Sequence, residues 1–377
     1  MAEVIGHLTL LNKALPTGVD GTRLAEWALR DGVTYGELAN QVALALAQAN
    51  QELVNRWGWC FSFTEDLMQE YENGGAVTAM DEMTDMDRPK PVLGTTIGHM
   101  IDLRTYGSAI GGTRHYFRDA RSALINTAIR TNVRKAVWRF EQKLLTRWLT
   151  NTENAIGAAG YDVPFVRGTG GNVDFAPPAF EGEAFTTSHD HYVAENVSTP
   201  KTFADLLNTM AETLQEHGHE PPFRSVVSRA DVATYAALTK FIEMVNVNGL
   251  IIDRGGESSG NQMFRMAPQW IGGHFGDFQS DYGLVELFAT ARLATGYAGL
   301  TKSYGNLDAR NGLAVRVHPS VGFGMMIVPE TTTINDDTPI KQLDIEFEFG
   351  VGVGADRTNG VAGLLVAGGA WANATVS

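Results

Sequence analysis

Cysteine is nearly missing. Cys60 is the single thiol among 377 residues, which excludes an internal disulfide and any cysteine-based zinc site. Charge is scarce as well: only 19% of residues are Asp, Glu, Lys or Arg, against roughly 25% in ordinary soluble domains. Basic residues are the rarer sign, 29 against 43 acidic, for a formal net charge of −14. That balance excludes a protein that grips nucleic acid across its surface, because such a surface needs clustered Lys and Arg to displace counterions. No apolar run reaches the roughly 20 residues of a membrane span; the longest, 360–372, is short and rich in glycine. Met1-Ala2-Glu3 lacks the basic and apolar blocks that open a signal peptide. The chain therefore reads as a soluble, cytoplasmic protein with no membrane partner. Its sparse charge suits a surface that is buried against other subunits.

Sites of chemistry are also missing. The 255–260 segment has P-loop spacing between its outer glycines, but Asn261 and Gln262 follow where Lys and Ser or Thr would hold phosphate and magnesium. The Gly350, Gly352, Gly354 series has Ala355 in place of a third glycine and runs on as turn and strand, so it is no dinucleotide fingerprint. No nucleophile elbow or His-Glu-x-x-His motif occurs. Two histidine pairs, His189/His191 and His217/His219, have a spacing that places both rings on one side of a strand, with Asp190 as a possible orienting acceptor. They sit in polar, turn-like sequence with no third ligand nearby, and the expectation is solvated loops. A metal-dependent enzyme built on these four histidines is the rival reading of a different class. Catalytic residues, metal ligands and cofactors are accordingly all assigned as none.

What is present is glycine, 41 residues where roughly 7% of the chain is usual, and a marked blockwise organisation. Residues 20–57 read as helix, with a capping-box pattern from Thr34 to Glu37. Residues 61–113 are strand-like pieces punctuated by Gly and Pro, which suits an extended hairpin. From Phe117 to Thr150 there is no Gly or Pro, and Ile125, Ile129, Val133, Val137, Phe140, Leu144 and Trp148 recur at helical spacing. They hold no heptad register, so this helix is expected to lie across a large surface instead of entering a coiled coil. Further capping boxes begin at Thr202 and Ser228, predicting helices over 206–216 and 232–245, with a short buried strand at 225–227 between them. From Leu313 onward strands dominate; Ile345, Phe347 and Phe349 alternate with Glu346 and Glu348. Charge is blocked too. Residues 65–87 carry −8 with no base, and 114–147 carry +7. Two explanations are open: opposite faces of one chain, or an acidic arm that meets a neighbouring subunit's basic helix through Asp81, Glu82, Asp85 and Asp87 against Arg130, Arg134 and Arg139.

This order of parts resembles the Hong Kong 97-type major capsid proteins of tailed bacteriophages, an α+β fold, over most of the chain. The resemblance implies an N-terminal arm (1–70), an E-loop (71–113), a peripheral domain (114–200) containing the spine helix (117–150), an axial domain (201–312) and a β-rich return to the peripheral domain (313–377). The glycine-rich strand to Gly354, the Asp356–Gly360 turn and the Val361–Val366 strand resemble the family's closing hairpin. The family implies hexamers and pentamers of this chain tiling an icosahedral virion shell, assembled in the host cytoplasm around double-stranded DNA that is held without sequence-specific binding. It places the E-loop over an adjacent subunit, and the 249–283 segment is expected to face the capsomer centre. A separate scaffolding protein, a portal and a cement protein are the partners it adds. Some members cross-link an E-loop lysine to a peripheral asparagine; Lys90 and Asn359 occupy those regions, though each has an ordinary turn or loop explanation. The nearest rival shares the fold, an encapsulin-like nanocompartment shell, but those shells use shorter chains. A tail or decoration protein fits the long helix poorly.

Overall fold

The structure, a computed structural model, describes residues 30–32, 35–73, 96–113, 116, 119–156, 160–168, 175–181, 183–198, 201–243, 273–328 and 340–376. The Ala/Leu-rich stretch after Thr34 forms α1 (Tyr35–Trp57), which buries Val42, Leu46, Leu53 and Trp57. A tight turn leads into β1 (Phe61–Thr64). Strands β2 (Met68–Glu72) and β3 (Thr96–Met100) pair antiparallel from Met68/Met100 to Glu72/Thr96, forming the stem of the expected hairpin. Residues 74–95, which carry Asp81, Glu82, Asp85, Asp87 and Lys90, lie outside the described residues.

The run without Gly or Pro forms α2 (Ser122–Trp148), 27 residues and about 40 Å long. It is shorter than the expected 117–150 span. Leu149 caps it, donating its N–H to the Leu145 carbonyl at 3.0 Å, and Phe117 and Arg118 lie outside the described residues. No acidic residue occupies its first turn; instead the Asp31 carboxylate accepts from the Ser122 N–H at 2.8 Å, an anion at the positive end of the helix dipole. Ile125, Ile129, Phe140, Leu144 and Trp148 are buried, with Val133 and Val137 packed at the edge of the same core.

As its lack of a heptad register predicts, α2 lies across a sheet. That sheet runs β1–β13–β15–β14, where β13 is Leu313–Arg316, β14 is Met325–Val328 and β15 is Ile340–Val353; β4 (Arg104–Thr113) pairs with β15 along ten residues. The alternation in β15 turns Ile345, Phe347 and Phe349 inward, where Phe347, Phe349, Phe61 and Phe323 surround the Phe140 ring at 6.0, 5.3, 5.7 and 5.4 Å. Each such pair adds about 1 kcal/mol beyond the area it buries.

After α2 a short antiparallel pair forms from β5 (Asn154–Ile156) and β6 (Gly160–Asp162), and a second large sheet holds the remaining strands. Its order is β7 (Tyr192–Asn196), β16 (Val361–Val366), β12 (Tyr297–Lys302), β8 (Phe223–Ser228), β11 (Gly283–Thr290), β10 (His274–Ser280) and β9 (Phe241–Glu243). The helix α3 (Phe203–Gln215) covers one face, with the capping box at Thr202 and Asp205 formed in both directions. Its Leu206, Leu207, Met210 and Leu214 pack on Val227, Val285, Leu300 and Val361. The end of α2 reaches this sheet as well: Trp148 donates its indole N–H to the Val361 carbonyl at 3.3 Å.

Two expectations are corrected. The helix predicted over 232–245 is only α4 (Val232–Ala236). The chain then turns into β9, where Phe241 pairs opposite Phe278 and its ring fills the space that Gly276 leaves open. Pairing with a distant strand outweighs local helix preference there. The closing hairpin is not a hairpin: β15 pairs with β13, β14 and β4, whereas β16 pairs with β12 and β7. Residues 354–360 cross from one sheet to the other. Among the described residues no helix is long and apolar enough to cross a membrane.

Candidate assembly surfaces and histidine cluster

The basic block divides by environment. Arg147 is buried and committed to the subunit: it pairs with Asp162 at 2.9 Å and donates to the carbonyls of Thr150 and Thr152 at 2.7 and 3.1 Å, just past the end of α2. Arg139 is half-buried, lies over the rings of Tyr106 and Trp138 and donates to Gln142. Arg130 and Arg134, one helical turn apart, are exposed and form no ion pair among the described residues. Nearby, burial and then the Arg104 and Arg139 guanidinium groups hold the Lys143 ammonium below its ordinary range. The helix thus presents positive charge that has no ion partner among the described residues. Exposed apolar side chains accompany it, with Leu44 of α1 72% exposed and Leu124 of α2 51% exposed.

The crossing segment 354–360 ties both sheets to the hairpin stem. Arg357 is buried, donating to the carbonyls of Pro164 and Phe165 and to the Tyr71 hydroxyl of β2 at 2.9 Å, and its guanidinium lies 4.6 Å from the Phe175 ring. Asn359 is fully buried. Its amide donates to the carbonyls of Lys302 and Arg310 at 3.0 and 2.8 Å, and its oxygen accepts from the Lys302 N–H and the Thr301 hydroxyl at 2.8 and 3.0 Å. Those four hydrogen bonds are structural reason enough for an asparagine at this position.

His99 of β3 is buried on the same face of the stem as Tyr71, their ring centroids 5.5 Å apart. Its Nε2–H donates to the Val353 carbonyl at 2.9 Å, while Nδ1 is buried with no partner among the described residues. Protonating Nδ1 would place a donor where no acceptor waits, and burial lowers the imidazole pKa to about 3. The unfolded chain takes up this proton near the ordinary value of 6.5. The stability His99 lends is therefore complete above about 6.5 and is lost as pH falls to about 3. From pH 7 to pH 4.5 the wild type should lose about 2–3 kcal/mol more than His99→Gln, measured by denaturant unfolding at each pH. Parallel losses in the two proteins would exclude His99 as the cause.

The histidine pairs are not solvated loops; His191 and His219 are buried. Nor do the four rings form one site. Gly218, at φ +80°, turns the chain after α3, and a Cβ there would strike the Phe180 ring; this turn sends His217 and His219 in different directions. His219 bonds the Tyr304 hydroxyl at 2.9 Å and the Thr358 hydroxyl at 3.0 Å, with Asp356 at 3.7 Å. His217 instead meets the other pair: its Nε2 lies 2.9 Å from Nε2 of His189 and 2.9 Å from Nε2 of His191. Asp190 orients no ring; its carboxylate accepts from the Tyr192 N–H at 2.8 Å. The ring of His191 is held by the Gly360 carbonyl, 2.8 Å from Nδ1. The sequence could not bring these three together, because the third ring comes from beyond a whole helix and strand.

No family model matches the sequence and no curated protein sequence is similar to it. In three dimensions the chain is similar to a structure from Mycobacterium phage Patience, at 19% identity and a TM-score of 0.59, over 92% of each chain. It is also similar to a subunit of the bacteriophage PhiM1 mature capsid (12% identity, TM-score 0.45, 81% of this chain and 85% of that one). The capsid of an empty GTA particle gives 9% identity and a TM-score of 0.43, over 83% and 89%. With an N-terminal helix, a hairpin stem, a long helix and two large sheets in this order, the chain has the Hong Kong 97-type phage capsid fold.

Proposed function

We propose that this chain is a major capsid protein whose copies form the hexamers and pentamers of an icosahedral shell around the double-stranded DNA of a tailed phage. The observation that carries this reading is the fold, shared over 92% of the chain with the Patience phage structure. The exposed Arg130 and Arg134 of α2, without an ion partner among the described residues, and the exposed Leu44 and Leu124 support it, since they suit a subunit completed by its neighbours. In this reading residues 1–70 are the arm, 71–113 the E-loop laid over an adjacent subunit, 114–200 and 313–377 the peripheral domain, and 201–312 the axial domain. The second sheet then takes β16 from the peripheral return. A separate scaffolding protein, a portal and a cement protein complete the set of partners, and assembly takes place in the host cytoplasm. The role is structural, without catalysis.

Negative-stain microscopy of the expressed chain, alone and with a scaffolding protein, should show closed shells of uniform diameter. Dispersed subunits under every condition would overturn the reading. Shells that purify with an enzyme cargo in place of DNA would move it to the nanocompartment class.

A further inference from the structure

We propose that His189, His191 and His217 form a binding site for one divalent transition-metal ion of the zinc class. The proposal does not rest on the capsid reading. The three imidazoles come from two separate segments, the strand entry before β7 and the turn after α3, and converge through the same ring atom. Their Nε2 atoms lie 2.9 Å apart in two of the three pairs, and all three fall within 4.8 Å of one another. An ion at the usual zinc–imidazole distance holds tetrahedral nitrogens about 3.3 Å apart, so the two short pairs stand a few tenths of an ångström from ligand spacing.

Proton bookkeeping points the same way. The Gly360 carbonyl can only accept, so the Nδ1 of His191 carries the proton and its Nε2 presents a bare lone pair to His217. A proton on Nε2 of His217 can point along one of its two short contacts. The other contact, at 2.9 Å, then lacks a hydrogen of its own unless His189 supplies one toward a nitrogen that already carries its proton. A cation between three lone pairs removes this conflict. His191 is wholly buried, and the Phe185 ring packs 4.9 Å from His189 and 4.3 Å from His217. The rings are thus held by packing and by a backbone acceptor, as metal-bound imidazoles commonly are.

The fourth position would fall to water or to Glu216, whose carboxylate lies 4.0 Å from His189 Nε2. His219 takes no part, being committed to Tyr304 and Thr358. Bound metal would act as a clamp, joining the loop before β7 to the end of α3 and, through Gly360, to the segment that crosses between the sheets.

The test uses the full chain, stripped with chelator and titrated with zinc chloride and, separately, cobalt chloride. About one equivalent should bind per subunit, with the visible cobalt bands of tetrahedral coordination. Saturating zinc should raise the melting temperature by about 3 °C or more. His189→Gln, at the rim of the cluster, and His217→Gln should each lose both the equivalent and the shift, while His318→Gln keeps them. Should a variant fail to fold, the wild-type titration decides alone. Binding well below one equivalent without a thermal shift, or uptake unchanged in His189→Gln, would overturn the site.

Discussion

Replacing Glu141 with alanine should destabilise the subunit by about 3 kcal/mol. The carboxylate is 2% exposed and holds three side chains from two other elements. One oxygen pairs with Arg56 at 2.8 Å and accepts from the Trp57 indole N–H at 3.2 Å, both from the end of α1. The other accepts from Arg292 at 3.3 Å, in the turn between β11 and β12 of the second sheet. Alanine removes the acceptor of a buried indole and the counter-charge of two guanidinium groups. Both arginines are more than a third exposed and can turn toward water, which sets the loss at the lower end of the range for a broken buried pair. Glu141→Gln keeps one acceptor and should lose about half as much; Arg56→Ala and Arg292→Ala should each lose less than Glu141→Ala. Urea unfolding of the four variants checks the order. A Glu141→Ala protein as stable as wild type would mean that α1 docks on α2 through apolar packing alone.

The elements that could be read from the sequence are those whose causes are local. The absence of Gly and Pro and the apolar spacing gave α2 its face, from Ile125 to Trp148. Strict alternation gave β15 its inward Ile345, Phe347 and Phe349, and the Thr202–Asp205 capping box marked the start of α3. The missed features are set by partners far away in the chain. Nothing near Ser122 announces that Asp31 caps its helix. The glycines around the 354–360 turn read equally well as a hairpin; their actual reason is close packing, since a Cβ at Gly360 would enter the Phe165 ring and one at Gly312 would collide with the Asn359 carbonyl. The histidine pairs looked symmetrical in sequence, yet one left-handed glycine separates His217 from His219 and delivers only the first to His189 and His191. Residue type and spacing reported which side chains were available; long-range pairing decided which of them meet.

Reversing Arg130 and Arg134 to glutamate should cut shell yield about tenfold or more while leaving the isolated subunit folded. Both side chains are exposed on one face of α2 and pair with nothing among the described residues, so the subunit's own stability should change by less than about 0.5 kcal/mol. At an interface the same change turns attraction into like-charge contact, costing several kcal/mol, of which about 1.4 already accounts for a factor of ten. Arg139 is left out of the reversal because it packs over Tyr106 and Trp138 and would confuse folding with assembly. The complementary surface we infer is the acidic segment of a neighbouring E-loop, Asp81, Glu82, Asp85 and Asp87. Reversing those four to lysine should restore part of the yield in the Arg130→Glu, Arg134→Glu background, and raised salt should weaken wild-type assembly over the same range in which it relieves the variant. Yield is read by sedimentation, and folding by the melting temperature of the unassembled fraction. Shells at wild-type yield from the double reversal would remove α2 from the interface. Loss without rescue would keep the arginines at a contact but assign them a partner other than the E-loop acids.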